Sequence, residues 1–177
     1  MSVIERTPRI ETADLTLRAP EARDAPRLAQ LMNDLDIARM TSRIPHPYGI
    51  EDAEDFVVRA RGVDPATDCN LLIEHEQWGV VGGLGLNTPP AAAPEVGYWI
   101  GKPWWGRGVA SEALAGALAW AARDWRKRYV TAGHFADNPA SGSVLIKAGF
   151  LYTGEVQWRP SLARGELVAT RMMVWLA

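Results

Sequence analysis

Apolar and polar residues alternate at Leu15-Thr16-Leu17-Arg18, which predicts a first strand ended by Pro20. Over residues 22–35 the spacing becomes helical, with Leu28, Leu31, Met32 and Leu35 on one face. Residues 39–49 hold Pro45 and Pro47 and are expected to form a loop. A second helix is predicted over 51–61, with acids in its first turn. Strand-like runs follow at 70–74 and 80–86. The second carries Gly82, Gly83 and Gly85, which points to bulges or close backbone approach. After a Pro/Ala loop at 88–94 comes a strand at 95–100, then the longest helical pattern, 106–125. A strand at 129–135 leads to a short helix at 139–148. Asn138 is its expected N-cap, Pro139 its first residue and Gly149 its C′ position. Two strands, 150–158 and 167–176, close the chain.

The order β-α-α-β-β-β-α-β-α-β-β joins an antiparallel meander to a β-α-β-α-β run. That predicts an α/β (α+β) fold, a mixed sheet with helices on its faces. No repeat or linker interrupts the 177 residues, so one domain over 1–177 is expected, with a core from about 13 to 176.

Composition narrows the classes. Hydrophobic residues at 47% and charged residues at 23% are globular values. A net charge of -2 disfavours nucleic acid as a partner of the whole surface. The basic run Arg126-Lys127-Arg128 follows a helix, where cations suit the negative end of the dipole. Cys69 is the only cysteine, so no internal disulfide and no Cys-based metal site is expected, and no metal is predicted. Cys69 precedes the apolar run Leu71-Leu72-Ile73 and reads as a small buried hydrophobe in a cytoplasmic protein. Residues 1–10 lack the apolar stretch of a signal peptide. No apolar run reaches the roughly 20 residues that span a bilayer, so no membrane partner is expected.

The chemistry concentrates where the 95–100 strand turns into the long helix, at Gly106-Arg107-Gly108-Val109-Ala110-Ser111. Glycines let backbone approach a ligand without a side chain between. The first helical N–H groups have no internal partner and carry the positive end of the dipole, which suits a pyrophosphate. Arg107 adds a positive charge and Ser111 a hydroxyl. A Gly-rich turn before an ordinary packed helix would read the same way. Neither the Rossmann fingerprint nor a P-loop fits, because position 111 is Ser and no Lys-Ser/Thr ending follows. A second block, Asn138 to Phe150, places Asn138 and Ser141 at a helix start, where they either cap it or face a ligand.

Together the two blocks resemble the GCN5-related N-acetyltransferase superfamily, most of all its branch containing the acetyltransferases of ribosomal-protein N-termini. The resemblance runs from Leu15 to Leu176. It implies a mostly antiparallel sheet of about seven strands, splayed between the fourth and fifth, with about four helices. The family's Gln/Arg-x-x-Gly-x-Gly/Ala reads Trp105-Gly-Arg-Gly108-Val-Ala110 here, with Trp105 at the usual Gln/Arg position. The resemblance implies that residues 106–111 hold the pyrophosphate of acetyl-CoA. It also implies that the backbone of Tyr98, Trp99 and Ile100 pairs with pantetheine like an added strand. The pattern Asn-x-x-Ser…Lys-x-Gly-Phe is matched by Asn138, Ser141, Lys147, Gly149 and Phe150. It puts Asn138, Ser141 and Lys147 on the cofactor side.

The implied reaction is attack of an amine on the thioester, with a protein or peptide N-terminus or a small amine as acceptor. Because an alkyl amine is mostly protonated at neutral pH, a base or a water chain must take a proton. The tyrosine that many relatives place in the second block is Leu145 here, and Ser141 is the substitute donor to the departing thiolate. The strand position where some relatives carry a base is Gly133. Glu95 and His134 stand as base candidates, Glu155 behind them, and a water route beside all three. Trp99, Trp104, Trp105 and Trp158, among eight tryptophans, either line a pocket or pack the core. Residues 37–61 are expected to cover the acceptor. The acids Glu51, Asp52, Glu54 and Asp55 there either attract a cation or form a solvated helix start. The rival reading is a non-catalytic acyl-CoA-binding module or sensor. A homodimer is the oligomer the family analogy suggests.

Overall fold

The computed structural model describes residues 6–89 and 92–177. Residues 1–5 of segment 1–10, and residues 90–91 of the Pro/Ala loop, lie outside the described residues. One sheet runs through the molecule in the order β1-β2-β3-β4-β5-β6-β8-β7. Its strands are β1 (Ile10–Glu11), β2 (Leu15–Arg18), β3 (Asp68–His75), β4 (Gly79–Asn87), β5 (Glu95–Ile100), β6 (Tyr129–Phe135), β7 (Leu151–Ser161) and β8 (Glu166–Leu176). The helices are α1 (Ala25–Met32), α2 (Leu35–Ala38), α3 (Ile50–Arg61), α4 (Val109–Arg123) and α5 (Pro139–Lys147).

Two expectations on number shift. The two-residue β1 adds an eighth strand at the sheet edge, so the splay falls between the fifth and sixth strands. The predicted 22–35 helix ends at Met32. Asp34 then accepts the Asp36 N–H at 2.8 Å and starts the separate turn α2, a fifth helix. The long helix opens at Val109 instead of 106, because Gly106 and Gly108 take φ of +71° and +79° and stand before it.

Strand alternation sorts the sheet into two faces. Leu15, Leu17, Leu71, Ile73, Val96, Ile100, Val130 and Ala132 pack against Ala113, Leu114, Ala117 and Leu118 of α4 and against Leu145 of α5. On the other face, Leu72 and Val80 pack under α1, α2 and α3, with Trp99 and Trp104 at the margin. Gly83 is glycine because Trp99 lies across it: an added Cβ would come within 2.6 Å of the indole nitrogen. Cys69 is fully buried, and burial pushes its thiol up to about 12, which keeps it an inert apolar filler. Among the described residues no helix is long and apolar enough to cross a membrane, and no group of His, Cys, Asp and Glu is placed to hold a metal.

Candidate functional site

β5 and β6 run parallel, but they pair only at Glu95–Thr131 and Val96–Ala132. Beyond these two pairs they part. From residue 97 onward β5 keeps β4 as its neighbour, and from 133 onward β6 keeps β8. A wedge therefore opens in mid-sheet, with one strand edge unpaired on each wall.

The phosphate-loop candidate follows the end of β5. After Ile100 a 3-10 turn, Lys102–Trp104, carries the chain to Gly106-Arg107-Gly108. The Trp105 indole donates back to the Ile100 carbonyl at 2.7 Å and anchors the loop to the strand end. Nothing lies within 4 Å of a Cβ added at Gly106 or Gly108, so their outer side is open space. The first bond of α4 runs from the Glu112 N–H to the Gly108 carbonyl at 3.0 Å. The N–H groups of Val109, Ala110 and Ser111 precede it and have no helical acceptor. The one acid of this turn faces away: the Glu112 carboxylate accepts from the Thr12 hydroxyl at 2.6 Å and the Asp14 N–H at 2.7 Å. The turn thus keeps its positive end, with the exposed Arg107 resting 5.5 Å from the Trp78 ring.

Beyond the β6 wall comes the start of α5. Asn138 caps it, accepting the Ser141 N–H at 3.3 Å, and Gly149 ends it at φ +94°. The Ser141 hydroxyl lies 2.9 Å from the phenol oxygen of Tyr98, across the wedge. Lys147 is exposed in the last turn, and Leu145 is buried in the core at 1% exposure. The family resemblance implies a role for the Tyr98 backbone. The Tyr98 phenol carries no local signal, because its partner is 43 positions away.

The base candidates separate. His134 points under α5, where Nδ1 bonds the Phe135 carbonyl at 2.9 Å and Nε2 bonds the Tyr152 phenol at 2.8 Å. Gly142 lets the helix sit on this pair, since an added Cβ would meet both at 2.9 Å. Glu95 lies on the α1–α3 side. Both of its oxygens accept from Arg159, whose other N–H groups donate to Gln157 at 2.8 and 3.0 Å. Glu155 is exposed and accepts from Gln157 at 2.7 Å. At Gly133 the place of a base is filled from β8: a Cβ there would meet Thr170 at 2.8 Å and Met172 at 3.0 Å.

In the 37–61 region, Tyr48 is buried and its phenol pushed up to about 12 by that burial. Asp52 caps α3 by accepting the Gly49 N–H at 2.8 Å, while Glu51, Glu54 and Asp55 are exposed to solvent. A recess of 520 Å³ between Arg6, Arg9, Trp120 and Arg126 lies at the opposite end of α4 and contains none of these residues.

Comparisons with known proteins show the fold and the family. The chain is 30% identical over 107 residues to an uncharacterized N-acetyltransferase, p20, of Bacillus licheniformis, a match spanning 58% of this chain and 60% of that protein. The fold matches RimL, the ribosomal L7/L12 α-N-protein acetyltransferase in complex with coenzyme A, with a TM-score of 0.84, 22% identity and coverage of 96% and 98%. It also matches the microcin C7 self-immunity acetyltransferase MccE in complex with acetyl-CoA and AMP, with a TM-score of 0.81, 17% identity and 93% of each chain covered. A family model described as an acetyltransferase (GNAT) domain matches residues 14–151, and the chain belongs to that family.

Proposed function

We propose that the chain transfers the acetyl group of acetyl-CoA to a primary amine, either a protein or peptide N-terminus or a small amine, by direct attack in a ternary complex. The observation that carries this reading is the half-paired wedge capped by an open glycine turn at a helix N-terminus. It offers strand edges for the amides of pantetheine and backbone N–H groups for a pyrophosphate, in one line. The residues that would hold the donor are Tyr98, Trp99 and Ile100 on β5, Trp105 to Ser111 at the turn, Asn138 and Ser141 at the start of α5, and Lys147 in its last turn. The donor supplies an activated acyl group, and the chain's own residues supply position and charge.

Ser141 is the hydrogen-bond donor to the departing sulfur. We assign the amine proton to ordered water. That route is favoured because Glu95 is engaged by Arg159, His134 is turned under α5 with both nitrogens bonded, and Gly133 has no room for a base. The lone buried thiol of Cys69 fits a reducing, cytoplasmic setting.

Titration calorimetry with acetyl-CoA tests the reading. The wild type binds one equivalent, and Gly108→Glu, whose carboxylate would enter the space kept for the pyrophosphate, binds none. Absence of wild-type binding would overturn the assignment. The absence of a tyrosine at Leu145 and of a base at Gly133 favours a second reading, an acyl-CoA-binding module. It predicts tight binding without thiol release across an amine panel.

A further inference from the structure

Tyr98 and Ser141 face each other across the wedge, one on β5 and one in the first turn of α5. The phenol oxygen is 2.9 Å from the Ser141 hydroxyl and 3.2 Å from the Ser141 carbonyl. The Tyr98 ring packs against the main core. Burial pushes the phenol up to about 12, with the Ser141 hydrogen bond acting the other way, so it stays protonated throughout the neutral range. A half-buried phenol of this kind needs a partner, because an unmatched hydroxyl in an apolar setting is costly.

The two protons of the pair have two arrangements. In one, the phenol donates to the carbonyl and the serine donates to the phenol, which leaves the serine proton consumed inside the pair. In the other, the phenol donates to the serine oxygen and the serine proton is left for a third acceptor. We infer that Tyr98 is the positioning residue for Ser141: its phenol holds the serine oxygen and turns the serine O–H toward the departing sulfur. β5 thereby restores the phenol that Leu145 removes from α5.

This rests on the acetyltransferase reading. In the transfer, the amine nitrogen forms the C–N bond and the C–S bond breaks with its electron pair going to sulfur. The nitrogen loses one proton to water, and sulfur gains one from solvent, giving an amide and a free thiol. Ser141 and Tyr98 keep their protons. As sulfur gains charge, the serine O–H polarises toward it and the phenol bond behind it strengthens.

The test compares wild type, Tyr98→Phe, Ser141→Ala and the double variant. Thiol release from acetyl-CoA is followed with a short peptide carrying a free α-amine, and with water alone. Leaving-group assistance acts on both nucleophiles. Phe keeps the ring packing, and acetyl-CoA affinity by calorimetry stays within about twofold. Tyr98→Phe slows release about tenfold, the scale of one buried hydrogen bond. In the Ser141→Ala background the same change has no further effect. Unchanged release in Tyr98→Phe, or losses that simply multiply in the double variant, overturns the inference. Wild-type binding without any thiol release also overturns it and leaves the cofactor site standing. Absence of wild-type binding instead brings down the acetyltransferase reading, and this inference with it.

Discussion

Arg18 carries its charge into the interior at the end of β2. Its two Nη groups donate to both oxygens of Asp24 at 2.8 and 2.9 Å, its Nε donates to Glu74 on β3, and an Nη also reaches the Ala19 carbonyl at 3.1 Å. Burial alone would raise the Asp24 carboxyl, but the Arg18 bonds and the Glu21 N–H bring it below its ordinary value. Arg18→Met leaves Asp24 buried and unpaired, and urea unfolding is expected to show a loss of about 3 kcal/mol. The pH dependence follows the same pair. A depressed folded value means the Asp24 contribution is complete above the unfolded value of 3.8 and fades as pH falls through the folded one. Asp24→Asn should therefore flatten the acid limb of the stability curve below about pH 4. An unchanged acid limb would mean other carboxylates govern it. At this scale the sequence is legible wherever a residue acts on its neighbours. Asn138 as a cap and Gly149 at positive φ follow from local spacing. The Tyr98–Ser141 and Glu95–Arg159 pairs do not, because elements brought together by the fold create them across 43 and 64 positions.

The elements around the wedge are held to one another by the β7–β8 turn. Arg164 in that turn donates to both oxygens of Asp137 at 2.7 and 3.0 Å and to the Arg39 carbonyl at 2.6 Å, and it lies 5.1 Å from the Phe135 ring. The next tie is the Leu162 N–H to the Ser42 carbonyl at 3.2 Å. One side chain thus joins the loop after α2 to the turn that carries Asn138. Removing it in Arg164→Ala should speed hydrogen exchange at 39–42 and around Asp137, and raise the KM of the acceptor amine several-fold with little change for acetyl-CoA. Arg164→Lys should restore little, since an ammonium has no fork for a carboxylate. Exchange confined to the β7–β8 turn would refute the clamp. Long periodic elements were readable in advance: α3, α4, α5 and β3 to β6 fall within a few residues of their predicted spans. The misses are short. β1 has two residues and α2 four, too few to display a period, and α2 exists because Asp34 restarts the chain after the break at Asn33.

The whole molecule is one sheet with a gap in it. Two cores lie on opposite faces, and among the described residues only the Glu95–Thr131 and Val96–Ala132 register pairs join the β1–β5 half to the β6–β8 half within the sheet. A ligand that fills the wedge as an added strand would complete hydrogen bonding for both halves at once. Its effect should therefore be global, not confined to the phosphate turn. At a hundredfold excess over Kd, a ligand bound only to the folded state stabilises it by about 2.7 kcal/mol. For a domain of this size that corresponds to a rise in Tm of roughly 5–10 °C. Acetyl-CoA should produce this rise and also slow amide exchange at 97–100 and 133–135, the two walls of the wedge. Adenosine 3′-phosphate 5′-diphosphate, which keeps the pyrophosphate but lacks the pantetheine arm, should bind at the turn without protecting either wall. If acetyl-CoA raised Tm and left both walls exchanging as before, the added-strand geometry would be wrong and the phosphate turn alone would account for binding.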